Sequence, residues 1–248
     1  MRQLEVCCGG YADAIRAWKA GAKRIELCSS LFLGGITPSV GALTLIKKKT
    51  DLEVICIVRP RGAGFIYDDL EFEQMMHAAQ CLLEAGADGI SFGFLDEDFS
   101  LDNTRIQQMT ILIHSYGKEA IFHRAFDVLR NPLHNAKLLI SHGVDGILTS
   151  GCFPTAQEGI SIIKEMQEQY GDKIKITAAA GVNVRNAEEI LKKTGVPAIH
   201  STCKSWKGDP TTSSSQMSFA YTRNDAYEYV DEHKVKALLK IVENCDNE

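Results

Sequence analysis

One design recurs four times along this chain. A glycine ends a run of helical periodicity, a residue or more follows, and a short apolar strand begins. The four copies are Ala20-Gly21-Ala22-Lys23-Arg24-Ile25-Glu26-Leu27, Ala85-Gly86-Ala87-Asp88-Gly89-Ile90-Ser91-Phe92, His142-Gly143-Val144-Asp145-Gly146-Ile147-Leu148-Thr149 and Thr194-Gly195-Val196-Pro197-Ala198-Ile199-His200. Glycine suits the left-handed position just past a helix end, where a Cβ is penalised. The four glycines stand 65, 57 and 52 residues apart. A βα unit of an eightfold barrel takes roughly 30 residues, so each interval holds two units. The remaining strands are expected between the copies, at 3–7, 53–58, 119–122 and 175–179, with amphipathic helices separating them.

The 248 residues therefore predict a single α/β domain over 1–248, a TIM-type (β/α)8 parallel barrel occupying about 3–206. After strand eight come a polar, irregular loop over 207–224 and a C-terminal helix over 231–243. A doubly wound open sheet is the rival. It is disfavoured because no Gly-x-Gly-x-x-Gly turn follows the first strand, which also leaves no sign of a nucleotide cofactor.

A net charge of −5 speaks against nucleic acid as a partner, since such proteins present a basic face. The short run Lys47-Lys48-Lys49 falls at a helix end, where cations suit the dipole. No stretch of about 18 apolar residues is present, and the first residues have no apolar signal core. The expectation is a cytoplasmic protein without a membrane partner; assembly into a homo-oligomer stays open. Eight cysteines without a Cys-x-x-Cys pair read as reduced thiols rather than a disulfide framework.

Polar residues gather where strands end. The densest stretch is Phe122-His123-Arg124-Ala125-Phe126-Asp127; Arg24-Ile25-Glu26-Leu27-Cys28 and Ile57-Val58-Arg59-Pro60-Arg61-Gly62 are similar. Charged groups leaving an apolar core need partners or a ligand. In a barrel such residues meet at the C-terminal mouth. The alternation of side chains places Glu5, Glu26, Arg59 and His123 in one layer, with Cys7 and Cys28 nearer the rim.

These residues admit two chemistries and a bland alternative to each. Cys7 and Cys28, on adjacent strands about 4.8 Å apart, could face each other and suit a soft, low-coordinate ion such as Cu(I). They could equally be small apolar packing residues. His123 could move protons with Glu26 or Asp127 as its carboxylate partner, while Arg59, Arg61 and Arg124 clamp a carboxylate or phosphate. A structural ion-pair plug is the alternative. The turn carrying Thr149, Ser150 and Gly151, and the turn Ala180-Gly181-Val182-Asn183, could offer main-chain N–H groups to an anion.

Glu5-Val6-Cys7, Arg24-Ile25-Glu26-Leu27-Cys28, Gly34-Gly35-Ile36-Thr37-Pro38-Ser39, Arg59-Pro60-Arg61-Gly62, Phe92-Gly93, Phe122-His123-Arg124-Ala125-Phe126-Asp127 and Leu148-Thr149-Ser150-Gly151 occur in this order. The ordered set resembles the CutC copper-homeostasis family from Glu5 to about Ser201, with weaker likeness at Arg223-Asn224 and in the last helix. The resemblance implies a TIM-type barrel, a cytoplasmic location and a role in copper handling. It implies that Cys7 and Cys28, in the Glu-Val-Cys and Ile-Glu-Leu-Cys motifs, are the Cu(I) ligands. Two features depart from the family pattern. A glycine-rich turn usual after strand seven is replaced by Ala178-Ala179-Ala180-Gly181-Val182, and an extra Cys8 follows Cys7.

Overall fold

The computed structural model describes residues 2–222 and 225–246. Eight parallel strands, β1 (Gln3–Cys8), β2 (Arg24–Leu27), β3 (Glu53–Ile57), β4 (Gly89–Phe92), β5 (Glu119–Phe122), β6 (Gly146–Thr149), β7 (Lys175–Ala178) and β8 (Ala198–Ser201), pair in sequence order. β8 pairs back onto β1, with Glu5 opposite His200, and this closes the ring. Seven helices alternate with them: α1 (Tyr11–Lys19), α2 (Val40–Lys49), α3 (Asp69–Glu84), α4 (Asn103–Ser115), α5 (Pro132–Ser141), α6 (Ile160–Tyr170) and α7 (Ala187–Thr194). The (β/α)8 architecture read from the glycine spacing is the one observed.

Local chemistry accounts for the element ends. Gly21, Gly86, Gly143 and Gly195 all have left-handed φ, between 72° and 102°, as the repeated design requires. Ser39 accepts a hydrogen bond from Ala42 N–H at the start of α2, and Asp68 with Glu71 forms a reciprocal capping box before α3. Each cap of this kind typically contributes about 1 kcal/mol. The main apolar core lies between the strands and the helices. It includes Val6, Ile25, Val54, Ile90, Phe122 and Ile147 from the strands, and Ala14, Leu43, Met75, Ile106, Leu139 and Ile163 from the helices.

Side chains on the other strand face point into the ring, and there the polar residues sit. Arg24, 3% exposed in its side chain, pairs with Glu5 at 2.7 Å, Glu119 at 2.8 Å and Glu53. The register sets Glu5 opposite Arg24, and Cys7 opposite Glu26. Glu5 thus lies one layer deeper than Glu26, not in the mouth layer expected of it. The reason is the register: Glu5 pairs with Arg24, the first residue of β2, so its level is two residues below that of Glu26.

The polar loop expected over 207–224 runs between two strands not expected from the sequence, the first of which takes in residues 207 and 208. β9 (Lys204–Gly208) and β10 (Ala226–Val230) form an antiparallel two-stranded arm, with Trp206 opposite Glu228. Residues 223 and 224 of the expected loop, where part of the resemblance falls, lie outside the described residues. The chain continues into α8 (Glu232–Asp246), which buries Val235, Leu238, Val242 and Cys245. No described helix is long and apolar enough to cross a membrane.

Candidate functional site

The C-terminal mouth of the barrel holds a cavity of about 850 Å3. Glu26, Arg59 and His123, which leave three different strands, all line it. Cys7 and His200 line it as well, so the convergence expected of the strand ends occurs.

At the inner wall, Cys7 Sγ lies 3.9 Å from Cys28 Sγ and 3.7 Å from a Glu26 carboxylate oxygen. Both thiols are buried, packed with Ile57 and Leu31 in a small cluster apart from the main core. The Cys28 thiol also approaches the Cys8 carbonyl at 3.4 Å. Cys8 itself points away, into the main core, as strand alternation requires. No cysteine forms a disulfide among the described residues.

His200 completes this wall, and the sequence reading had given it no role. Its Nδ1 lies 2.8 Å from Glu5, and its Nε2 3.9 Å from Glu26. Ligand atoms of Cys7, Glu26 and His200 fall within 4.8 Å of one another, all buried. Burial works against a charged imidazole here, but contact with the Cys7 sulfur and Glu5, and the charge of Glu26, raise the His200 pKa well above its usual value. For Glu5 burial again opposes the charge, yet the hydrogen bond and charge of His200, then Arg24, hold its pKa down to about 2. Burial raises the pKa of Glu26. The hydrogen bond between the thiols, with burial, raises that of Cys7. The wall thus pairs the His200 imidazole with the Glu5 carboxylate beneath two thiols whose pKa values are both raised.

The far wall is built differently. His123 is buried, and its Nδ1 accepts the Ala125 N–H at 3.1 Å. The neutral ring therefore carries its proton on Nε2, which has no partner among the described residues. Burial, then the Arg59 charge, pushes its pKa down to about 3. A ring so held donates a hydrogen bond and does not take up a proton near neutrality. No carboxylate bonds to it, contrary to the expected His–carboxylate couple. Asp127 is engaged elsewhere: it accepts Thr149 Oγ1–H at 2.5 Å and Ser150 N–H at 2.9 Å, and pairs with Arg124 at 2.7 Å. The 3-10 turn of residues 124–128 carries His123 and Asp127 to different neighbours.

The remaining sequence candidates divide. Arg59, 5% exposed, donates to the carbonyls of Leu33, Gly35 and Ala63 and stacks over Phe65, while its Nε finds no partner among the described residues. Arg124 lines the cavity. Arg61 does not; it pairs with Glu71 at 2.5 Å and stacks on Tyr67. Thr149, Ser150 and Gly151 also lie off the cavity lining, and the N–H groups of Ser150 and Gly151 are spent on Asp127 and Thr149. The turn after β6 already holds an anion, the chain's own carboxylate.

His200 was findable. It is the only histidine inside a predicted strand of the repeated design, and period-two alternation puts it on the inward face with Ala198.

Comparison with known proteins agrees with this architecture. The CutC family profile matches residues 2–205. A CutC family protein of Treponema denticola is 45% identical over 210 residues, which are 85% of each chain. The human copper homeostasis protein cutC homolog is 37% identical over 202 residues, covering 82% of this chain and 73% of that one. A crystal structure of CutC from Streptococcus agalactiae superposes with a TM-score of 0.77 at 31% identity, covering 82% of this chain and 99% of that one. With the family profile spanning the whole barrel and relatives this similar, the chain belongs to the CutC family.

Proposed function

We propose that the protein is a cytoplasmic copper-homeostasis protein that takes Cu(I) as cargo on Cys7 and Cys28. The observation that carries this reading is the 3.9 Å separation of the two sulfurs at the cavity wall. With metal–thiolate bonds of about 2.3 Å, one ion bridges sulfurs up to about 4.6 Å apart, so the pair needs little movement. Thiolates select soft ions, and two of them suit a low-coordinate one. Binding displaces the thiol protons, and the adjacent His200 cation stabilises the resulting negative charge. Eight unbridged cysteines accord with a reducing compartment.

The test is an anaerobic Cu(I) titration against bathocuproine, comparing wild type with Cys7→Ala/Cys28→Ala. The wild type should compete for the ion and the double variant should not. Equal affinity would remove the proposal. Melting curves accompany the titration, because deleting buried sulfurs leaves cavities.

A second reading, an enzyme acting on a small anionic metabolite, is favoured by the cavity itself. Its 850 Å3 is far more than an ion needs and falls among small-molecule sites, which run about 300–1,000 Å3. In that reading Glu26, buried with a raised pKa, is the proton carrier. His123 polarises a substrate oxygen through Nε2–H, and Asp127 positions Arg124.

A further inference from the structure

Charge is distributed against the grain of the molecule. The chain carries a net −5, yet the cavity is lined by Arg59, Arg124, Arg185, Lys204 and Lys234 against the single carboxylate of Glu26. A cavity of one sign focuses the field and concentrates ions of the other. Arg59 and Arg124 are occupied, by carbonyls and by Asp127. The other three form no ion pair among the described residues. Lys234 Nζ donates to the Lys204 carbonyl, tying α8 to β9, and the Lys204 ammonium rests over Trp206 at 5.3 Å.

The turn after β7 lines the same cavity as these cations. The main-chain N–H groups of Ala180, Gly181 and Val182 donate to nothing among the described residues, and all three residues line the cavity. Ala180 has φ 74° and Gly181 φ 71°. A left-handed alanine is strained, because its Cβ crowds the following carbonyl oxygen, and strain of that kind gathers at ligand clamps. At the opposite wall His123 Nε2–H and Arg59 Nε–H are buried donors without an acceptor. A buried donor left without an acceptor destabilises the fold, and a ligand oxygen would recover that loss.

We infer that this cavity binds a small phosphomonoester by two points: its phosphate dianion on Arg185, Lys204, Lys234 and the Ala180–Val182 N–H groups, its other end offering an oxygen to His123 and Arg59. Three unpaired cations and three free N–H groups match a dianion with three terminal oxygens better than a carboxylate with two. The inference rests on the metabolite reading of the cavity and specifies its ligand. None of these proposed contacts is Cys7 or Cys28, although Cys7 lines the same cavity, so the anion and copper are assayed separately.

The experiment is calorimetry and thermal shift on the full chain in phosphate-free buffer, with chloride at equal ionic strength as control. The probes are inorganic phosphate and two matched pairs, 3-phosphoglycerate with glycerate and ribose 5-phosphate with ribose. Inorganic phosphate should raise the melting temperature saturably, and each phosphorylated probe should bind at least tenfold more tightly than its parent. The variant Arg185→Gln/Lys204→Gln/Lys234→Gln, altered only at exposed positions, should still unfold cooperatively in chloride, at a somewhat lower temperature for want of the Lys234–Lys204 bond, and keep its Cu(I) affinity while losing that tenfold preference. A preference retained by the variant, or parents binding as tightly as their phosphorylated partners, overturns the phosphate site and leaves the metabolite reading standing. If neither inorganic phosphate nor any organic probe binds, both fall.

Discussion

His123 should make the protein acid-sensitive in a calculable way. Its folded pKa lies near 3, against an unfolded value of about 6.5. Between these values the unfolded chain binds a proton that the folded chain refuses, so stability falls as pH drops from about 6.5 towards 3. The contribution is complete above 6.5 and exhausted below 3. A separation of about 3.5 pKa units corresponds to roughly 5 kcal/mol in all, of which about 2 kcal/mol is lost between pH 7 and pH 5. The assay is urea unfolding followed by tryptophan fluorescence at pH 7, 6 and 5, for wild type and His123→Asn. The variant carries a constant penalty for its altered packing and lacks the proton. Its stability deficit relative to wild type should therefore shrink by about 2 kcal/mol over that range. Proton NMR gives the same answer directly, since the Cε1 proton of His123 should not titrate between pH 5 and 8. A deficit independent of pH, or a ring titrating near 6.5, would refute the assignment of a permanently neutral donor.

Two further substitutions probe the scaffold around the site. A Cβ added at Gly93 would stand 2.6 Å from His123 Cε1 and 2.7 Å from Ala125 Cβ. Since both neighbours are buried, Gly93→Ala should cost about 1–3 kcal/mol in urea unfolding and displace the imidazole resonances in NMR. Arg24→Met removes the central cation from Glu5, Glu53 and Glu119. The last two are 36% and 42% exposed and lose little, whereas Glu5 at 8% is left buried with only His200. A cost of about 3–5 kcal/mol is expected, the range for breaking a buried pair, and a cost under about 1 kcal/mol in urea unfolding would contradict it.

The fold was legible because its determinants are local. Gly21, Gly86, Gly143 and Gly195 announce helix ends that the backbone must make with positive φ, and their spacing counts the units. Convergence of Glu26, Arg59 and His123 followed from the closed ring alone. Partner choice did not follow, because it depends on packing between strands distant in sequence. Glu5 finds His200, 195 residues away, only when the first and last strands meet. Asp127 lies close to His123 in sequence yet turns to Ser150, 23 residues on. The arm of β9 and β10 was hidden because its strands are separated by a long polar excursion that reads as loop.

The pairing of Glu5 with His200 across the β1–β8 seam also bears on how the protein is made. During synthesis the two sulfurs emerge early, on neighbouring strands, while the imidazolium that lies beside them arrives near the end of the barrel. A nascent chain thus exposes both thiols before the residue that neighbours them from the far end of the sheet has been made. Only when the last stave of the ring locks against the first do sulfur, cation and carboxylate occupy one wall.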